Sequence, residues 1–374
     1  MRSIKYFILY VLTLAFSSCS KDELPHSTGR TVMVYMAANN SLNGDAYTNI
    51  NQMESAFKDV DGKLLVYARL KNVAPAIYEI SYDTGTAIGS RIVKTYAEHN
   101  SSDPLVMRSV IQDMQGLAPA ESYGLILWSH ATSWLPDPSI RLKSFGDDAG
   151  ETMDIISLKN ALPDDLDFLV FDACSMASVE VIYQLRDKAH YILASPAEVI
   201  AVGMPYHTML RYLYQTDLAH GLKQAAEAYY DYYNQQNGLY QSATITLVDN
   251  QKLPILAAQV GGILRLQSAT WSVLERDNVQ RLDFAEGSPT AGFDLLEFYQ
   301  LNFPKADLSG LKQALESSIL FKAHTAQFNG KEIRSYSGLS MYIPHADNNW
   351  VHPYYKTLDW YNASAANYLF KWVP

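Results

Sequence analysis

The sequence predicts an α/β fold, a mostly parallel sheet flanked by helices, with a smaller C-terminal α+β region. Three observations carry this. Short apolar runs with little alternation, typical of strands buried on both faces, fall at 31–37, 64–70, 123–129, 167–173 and 191–195. Segments with helical spacing separate most of them, the pattern of parallel strands joined by crossovers. After residue 235 the alternation stops and strands and helices mix without a repeating unit.

Taken in order, residues 20–30 are polar, with Pro25, Ser27 and Gly29, and read as a tether. The run TVMVYMA at 31–37 is a buried first strand. Asn39-Asn40-Ser41 supplies turn and N-cap chemistry for a helix carrying Ile50, Met53 and Phe57. LLVYARL at 64–70 is a second strand. Residues 76–82 and 88–95 alternate more and flank Asp83-Thr84-Gly85, so they read as a hairpin at a sheet edge. Pro104 opens a helix through Met114. Residues 123–129 form the third core strand, ending at His130. The segment 131–151 shows no apolar period and reads as a loop, its acids at 146–151 solvated. A short helix at 155–162 precedes the fourth core strand, 167–173. A helix at 178–186 and a strand at 191–195 follow, then a tyrosine-rich helix at 218–234. Beyond it, 242–249 and 335–344 read as strands, 253–266 and 308–320 as helices.

The chain of 374 residues is 48% apolar and 18% charged, long enough for two domains or for one large α/β domain with an appended part. Its net charge of −10 and lack of a basic stripe argue against a nucleic-acid partner. Arg2 and Lys5 precede an apolar run of 11 residues, Tyr6 to Phe16. That is too short to span a bilayer comfortably and suits a signal peptide. Ser17-Ser18-Cys19 resembles a bacterial lipobox, in which the cysteine becomes the lipidated N-terminus. Ser20-Lys21-Asp22-Glu23 resembles the surface-export signal of Bacteroidetes lipoproteins. An outer-membrane or cell-surface location, anchored through Cys19, is the expectation.

With Cys19 assigned to the leader, Cys174 has no disulfide partner. On the residues alone it is a reactive thiol or a buried core cysteine. Its place favours attention: it follows a core strand and precedes a helix, the edge where ligands bind in open α/β sheets. A cysteine nucleophile needs a partner that can take and return a proton, and histidine has a suitable pKa. His130 also ends a core strand, 44 positions upstream. Adjacent strand ends lie about 4.8 Å apart, so the two can share one cleft. A capped loop histidine is the other account of His130. No HExxH, CxxC or EF-hand loop is present, and no metal or other cofactor is expected.

Three blocks together go further. TVMVYMAANNSL at 31–42, LILWSHATSW at 125–134, and FDACSMASVEVIYQLRD from Phe171 with ASPAEVIAVGMPY after it resemble the clostripain family of cysteine peptidases. The resemblance covers roughly 31–215. It implies a caspase-like fold for the peptidase domain, which the change of pattern after residue 235 bounds at 31–235, leaving 236–374 as the α+β region. It implies Cys174 as nucleophile and His130 as catalytic histidine. It implies cleavage after arginine or lysine, with Asp172 at the floor of the specificity pocket. A carboxylate there suits a guanidinium or an ammonium. Side-chain alternation puts Asp172 and Cys174 on one side of their strand, although a cap on the following helix would also explain Asp172.

The backbone amides of Cys174 and Ala131 are the candidate oxyanion donors. Here the sequence departs from the family, which has glycine after the histidine and again soon after, where this chain has Ala131-Thr132-Ser133. A second pocket acid is not evident, Glu198 being the nearest candidate. Family members are often cleaved between the catalytic residues after a basic residue, which points to Lys143 or Arg141. A monomer acting on peptides with basic residues is expected. The alternative is a surface binding protein on a catalytically weak or inactive caspase-like scaffold.

Overall fold

In the computed structural model, residues 28–135, 144–268, 274–284 and 292–373 are described. The leader, Cys19 and most of the proposed tether lie outside them, as do Arg141 and Lys143. The tether reading ends early, because strand β1 (Thr28–Ala37) already pairs with a neighbour at Thr28. Arg30 is held in place, donating to Ser122 Oγ at 2.8 Å and to the carbonyls of Leu213 and Gln215.

From β1 the chain passes through α1 (Asn43–Ala56) to β2 (Lys63–Arg69), then the strands β3 (Ala76–Glu79) and β4 (Arg91–Thr95). Helix α2 (Pro104–Leu117) leads to β5 (Ala120–Trp128). A small hairpin, β6 (Phe145–Asp148) and β7 (Glu151–Met153), precedes α3 (Ile155–Ala161) and β8 (Leu166–Asp172). Helix α4 (Val179–Gln184), strand β9 (Ala189–Ala194), the short α5 (Tyr206–Met209) and the long α6 (Leu218–Asn234) follow. The remainder comprises β10 (Thr244–Asp249), α7 (Leu253–Gln267), β11 (Gly292–Asp294), α8 (Leu295–Asn302), α9 (Ser309–Ser318) and β12 (Ile319–His324). Short strands β13 (Gln327–Phe328), β14 (Lys331–Glu332) and β15 (Ser340–Tyr342) and helices α10 (His352–Tyr355) and α11 (Asp359–Ala363) complete it.

Nine strands form one sheet in the order β12-β10-β9-β8-β5-β1-β2-β3-β4. The five central strands are parallel. Strands β3 and β4 close one edge as the expected antiparallel hairpin, and β10 and β12 close the other. This is a caspase-like α/β sandwich. The sheet does not stop at residue 235: β10 and β12 extend it, and the change of pattern there is a change from parallel to antiparallel pairing. Sequence spacing runs a helix to residue 320, but α9 ends at Ser318 and the chain continues directly into the half-exposed edge strand β12.

Alternation along the central strands splits the core into two layers. Val34, Met36, Ile126, Phe168 and Val170 face α1, α5 and α6. Tyr35, Leu127, Leu169 and Phe171 face α2, α3, α4 and α7. The segment 131–151 is more ordered than its composition suggests. Phe145 is fully buried, and Asp148, read as solvated, is 5% exposed. Its carboxylate accepts from Asn39 Nδ2 at 2.6 Å and from the Ser101 amide at 2.6 Å, with Arg69 Nε at 3.4 Å. Paired in this way, the buried charge ties β6 to the end of β1.

Candidate active site

The register of two parallel strands brings the chemistry together. Trp128 of β5 lies opposite Asp172 of β8, the last pair of the ladder. Two residues further on, His130 and Cys174 leave neighbouring strand ends at the same level. The pairing is extended one step by the Ser129 amide, which donates to the Asp172 carbonyl at 3.4 Å.

Cys174 sits in a sharp turn between β8 and α4. Ser175 takes a left-handed conformation (φ 61°), which costs a non-glycine residue energy and needs support from its surroundings. That support is a clasp to the loop after β9: Ser175 N donates to Ala197 O at 2.8 Å, and Ala177 N to Ser195 O at 2.9 Å. Ser178 then caps α4, accepting from Val181 N. The thiol's bonding partner is this same loop. Val199 N–H donates to Sγ at 3.3 Å and Val199 O lies 3.7 Å away. Part of the residue reaches solvent, yet burial of the sulfur pushes the thiol up to about 12. The Val199 amide works against this, and the Glu198, Asp172 and Asp283 carboxylates add to it. In this arrangement Cys174 is a neutral thiol at working pH, and its proton must be taken by a base for attack.

His130 is held by residues on the opposite flank. Its carbonyl accepts from Gly146 N at 3.0 Å, and Ser41 Oγ lies 2.9 Å from Nε2. Burial holds its pKa below the ordinary value, partly opposed by the nearby Asp147. The imidazole is therefore neutral near pH 7, as a proton acceptor must be. Ser41 was expected to help cap α1. That helix has Leu42 at its N-cap with no side-chain bond, the Leu42 amide being taken by Asn40 Oδ1. Ser41 turns to the histidine instead.

Ala131 forms a bridge with Phe145 through the carbonyl of His130 and the amide of Thr132, which donates to Ser144 O. In such a pair the intervening amide points the other way. Hairpin β6–β7 lies on the β1 side, through Asn39 and Asn40, so the Ala131 N–H faces the β8 side. Neither the Ala131 nor the Cys174 amide has an acceptor among the described residues. Alanine at 131 does not require positive φ. The strain falls at Ser133 (φ 65°), the place of the second family glycine, and Ser133 Oγ bonds Ser178 Oγ at 2.8 Å.

Asp172 is 5% exposed, on the α5–α6 side of the sheet. It does not cap α4. Its Oδ2 accepts from Met204 N at 2.9 Å and from Tyr206 Oη at 2.8 Å. Oδ1 has no donor among the described residues. Burial raises the carboxyl to about 6 despite those two bonds. Asp172 and Cys174 both meet the loop 195–204, as strand alternation predicts. Gly203 (φ 76°) runs so close that a Cβ there would lie 2.9 Å from Asp172 Oδ2, so glycine is required on both conformational and steric grounds. The loop is fixed from behind by Asn49, which accepts from Trp128 Nε1 at 2.8 Å and donates to Val202 O at 3.0 Å. Glu198 accepts from the Phe284 amide, tying the loop to the C-terminal part beside the thiol.

Sequence reasoning missed three contributors. Ser41 lies within a matched block but has no chemistry of its own until it meets His130. Tyr206 closes another matched block, where nothing marks it until it meets Asp172, and Asn49 lies in a segment that reads only as helix.

A thiol and an imidazole thus follow adjacent parallel strand ends, beside two amides that have no acceptor among the described residues. The chain belongs to the clostripain family (peptidase family C11), whose model matches residues 34–372. Clostripain of Hathewaya histolytica is 24% identical over 216 residues, spanning 47% of this chain and 40% of that protein, so under half of that relative's length is matched. Two solved structures are similar over nearly their whole length. One is an inactive zymogen C11 protease from Parabacteroides distasonis, 28% identical, covering 90% of this chain and 99% of that one, with a TM-score of 0.78. The other is a secreted C11 cysteine protease from Bacteroides thetaiotaomicron in complex with an irreversible peptide inhibitor, 27% identical, covering 91% and 99%, with a TM-score of 0.79.

Proposed function

We propose that this chain is a cysteine endopeptidase that cleaves peptide bonds after lysine or arginine. The observation supporting it is the β5–β8 register, which pairs Trp128 with Asp172 so that His130 and Cys174 each follow two residues beyond the same ladder pair. His130 takes the thiol proton as sulfur attacks the carbonyl carbon. The Ala131 and Cys174 amides receive the oxyanion. The imidazolium then protonates the leaving amine, and a water attacks the thioester to release the acid and free the thiol. Asp172 accepts the basic side chain of the residue before the cleaved bond.

The resting chain is a latent form in this reading. A thiol bonded to Val199 and raised to about 12 is poorly prepared for attack. Self-cleavage after Lys143 or Arg141 would release the segment between the catalytic strands. The flanks of that segment are pinned together, Ser144 Oγ donating to Leu135 O at 3.1 Å, so a cut between them need not disturb the sheet. Export, lipidation at Cys19, an outer-membrane or surface location and a monomeric state complete the proposal.

The raised thiol pKa also favours a second reading, a binding protein on an inactive scaffold. Fluorogenic peptides with Lys, Arg or a neutral residue at the cleaved bond, tested on wild type and Cys174→Ala, separate the two. Cys174-dependent cleavage of basic peptides is expected. Activity surviving in the variant rejects Cys174 as nucleophile, and a lack of basic preference rejects the role of Asp172.

A further inference from the structure

The pocket floor leaves two polar atoms unused among the described residues. One is Asp172 Oδ1, since both protein donors go to Oδ2. The other is the hydroxyl of Tyr229, which is fully buried and has no hydrogen-bond partner there. A buried hydroxyl without a protein partner calls for one from outside the chain, a water or a bound ligand group. Tyr229 and Tyr233 are one turn apart on α6, their ring centroids 5.0 Å from each other. Tyr233 Oη donates to Gly203 O at 2.6 Å, and Gly203 is the residue packed against the Asp172 carboxylate. Tyr229 thus stands behind the Asp172 carboxylate, linked to it through Tyr233 and Gly203. Its phenol, raised by burial, is raised further by Tyr233, Asp172 and Cys174, in that order.

We propose that Tyr229 is a specificity-determining residue, its hydroxyl acting with Asp172 Oδ1 as a pair of acceptors for the ammonium of lysine. This rests on the peptidase reading above and narrows its substrate class to lysine over arginine. An ammonium presents three donors on one nitrogen and can reach two acceptors lying in different directions. A guanidinium is recognised best by both oxygens of one carboxylate through parallel bonds. Oδ2 already carries two donors, so that fork is denied here.

The test has two arms. Cleavage of matched Lys and Arg peptides gives the ratio of kcat/KM for wild type and Tyr229→Phe. Calorimetry of short peptides ending in lysine or arginine, on Cys174→Ala with and without Tyr229→Phe, gives the ratio of Kd without catalysis. The full chain is used throughout, and thermal midpoints verify that removing one oxygen leaves it folded. Lysine preferred by about tenfold in both arms, and lost with the hydroxyl mainly through KM and Kd, is the expected result. Arginine preferred or equal, or a lysine preference unchanged in Tyr229→Phe, overturns the assignment. No Cys174-dependent cleavage, with the binding preference and its loss intact, counts against the peptidase reading alone and supports the pocket.

Discussion

The substitution Asp172→Asn tests the pocket with the least change of shape. The introduced asparagine can present its amide oxygen to Met204 N and Tyr206 Oη, the two donors that now bond Oδ2. Its amide nitrogen then faces the pocket where a cation would sit. The variant loses a charge-assisted bond and opposes a buried cation with a donor. Removing one partner of a buried ion pair costs about 3–5 kcal/mol, so kcat/KM for a basic peptide should fall roughly 150- to 5,000-fold. The folded chain should not suffer. Raised from 3.8 to about 6 by burial, the native carboxylate costs stability on the order of 3 kcal/mol at neutral pH. The sign follows from the direction: a carboxyl raised in the folded state is destabilising above pH 6, and the penalty disappears below pH 4. The neutral amide carries no such charge, and the variant's thermal midpoint at pH 7 should equal or exceed that of wild type. Initial rates on Lys, Arg and neutral peptides, with melting curves beside them, are the assay. An equal loss on basic and neutral peptides, or no loss, refutes the role given to Asp172.

Three other expectations follow from the same geometry. As pH falls through about 6, KM for basic peptides should rise, approaching tenfold per pH unit as Asp172 protonates; steady-state rates from pH 5 to 8, referred to a neutral peptide, check this. Ser41→Ala removes a hydrogen bond to His130 Nε2 and should lower kcat about fivefold, the value of roughly 1 kcal/mol. Its acid limb should move to lower pH, because the hydroxyl no longer stabilises the imidazolium, and Ser41→Thr should restore both. Arg141→Ala with Lys143→Ala should stop nicking between the catalytic residues, seen on denaturing gels; nicking of purified Cys174→Ala to the wild-type extent would show that the cut is not self-inflicted.

Much of this was readable from residue pattern because parallel central strands are buried on both faces. Residues 31–37, 123–129 and 167–173 announce themselves as continuous apolar runs, and their ends place His130 and Cys174. Features that depend on tertiary partners were not readable. Strand β12 is half-exposed at an edge, so it lacks that signature and reads as the end of α9. The β6–β7 hairpin is organised around Asp148, whose burial makes sense only once Asn39, Ser101 and Arg69 are found around it. The glycines that the family carries after the histidine differ in need: Ala131 is not strained, whereas Ser133 takes a positive φ, a distinction only the backbone shows. Ser41 and Tyr229 gain their roles from what they meet, or fail to meet, in space.

The most direct test of the central claim is covalent trapping followed by peptide mapping. The chain, nicked between the catalytic strands, is treated with a peptidyl chloromethyl ketone ending in lysine, whose chloride the Cys174 sulfur displaces, and the modified residue is found by mass spectrometry. One adduct on Cys174 is expected, slowed by excess lysine peptide and much reduced in His130→Ala. An unmodified protein, or an adduct that forms equally well with a neutral reagent or on another residue, would contradict the account.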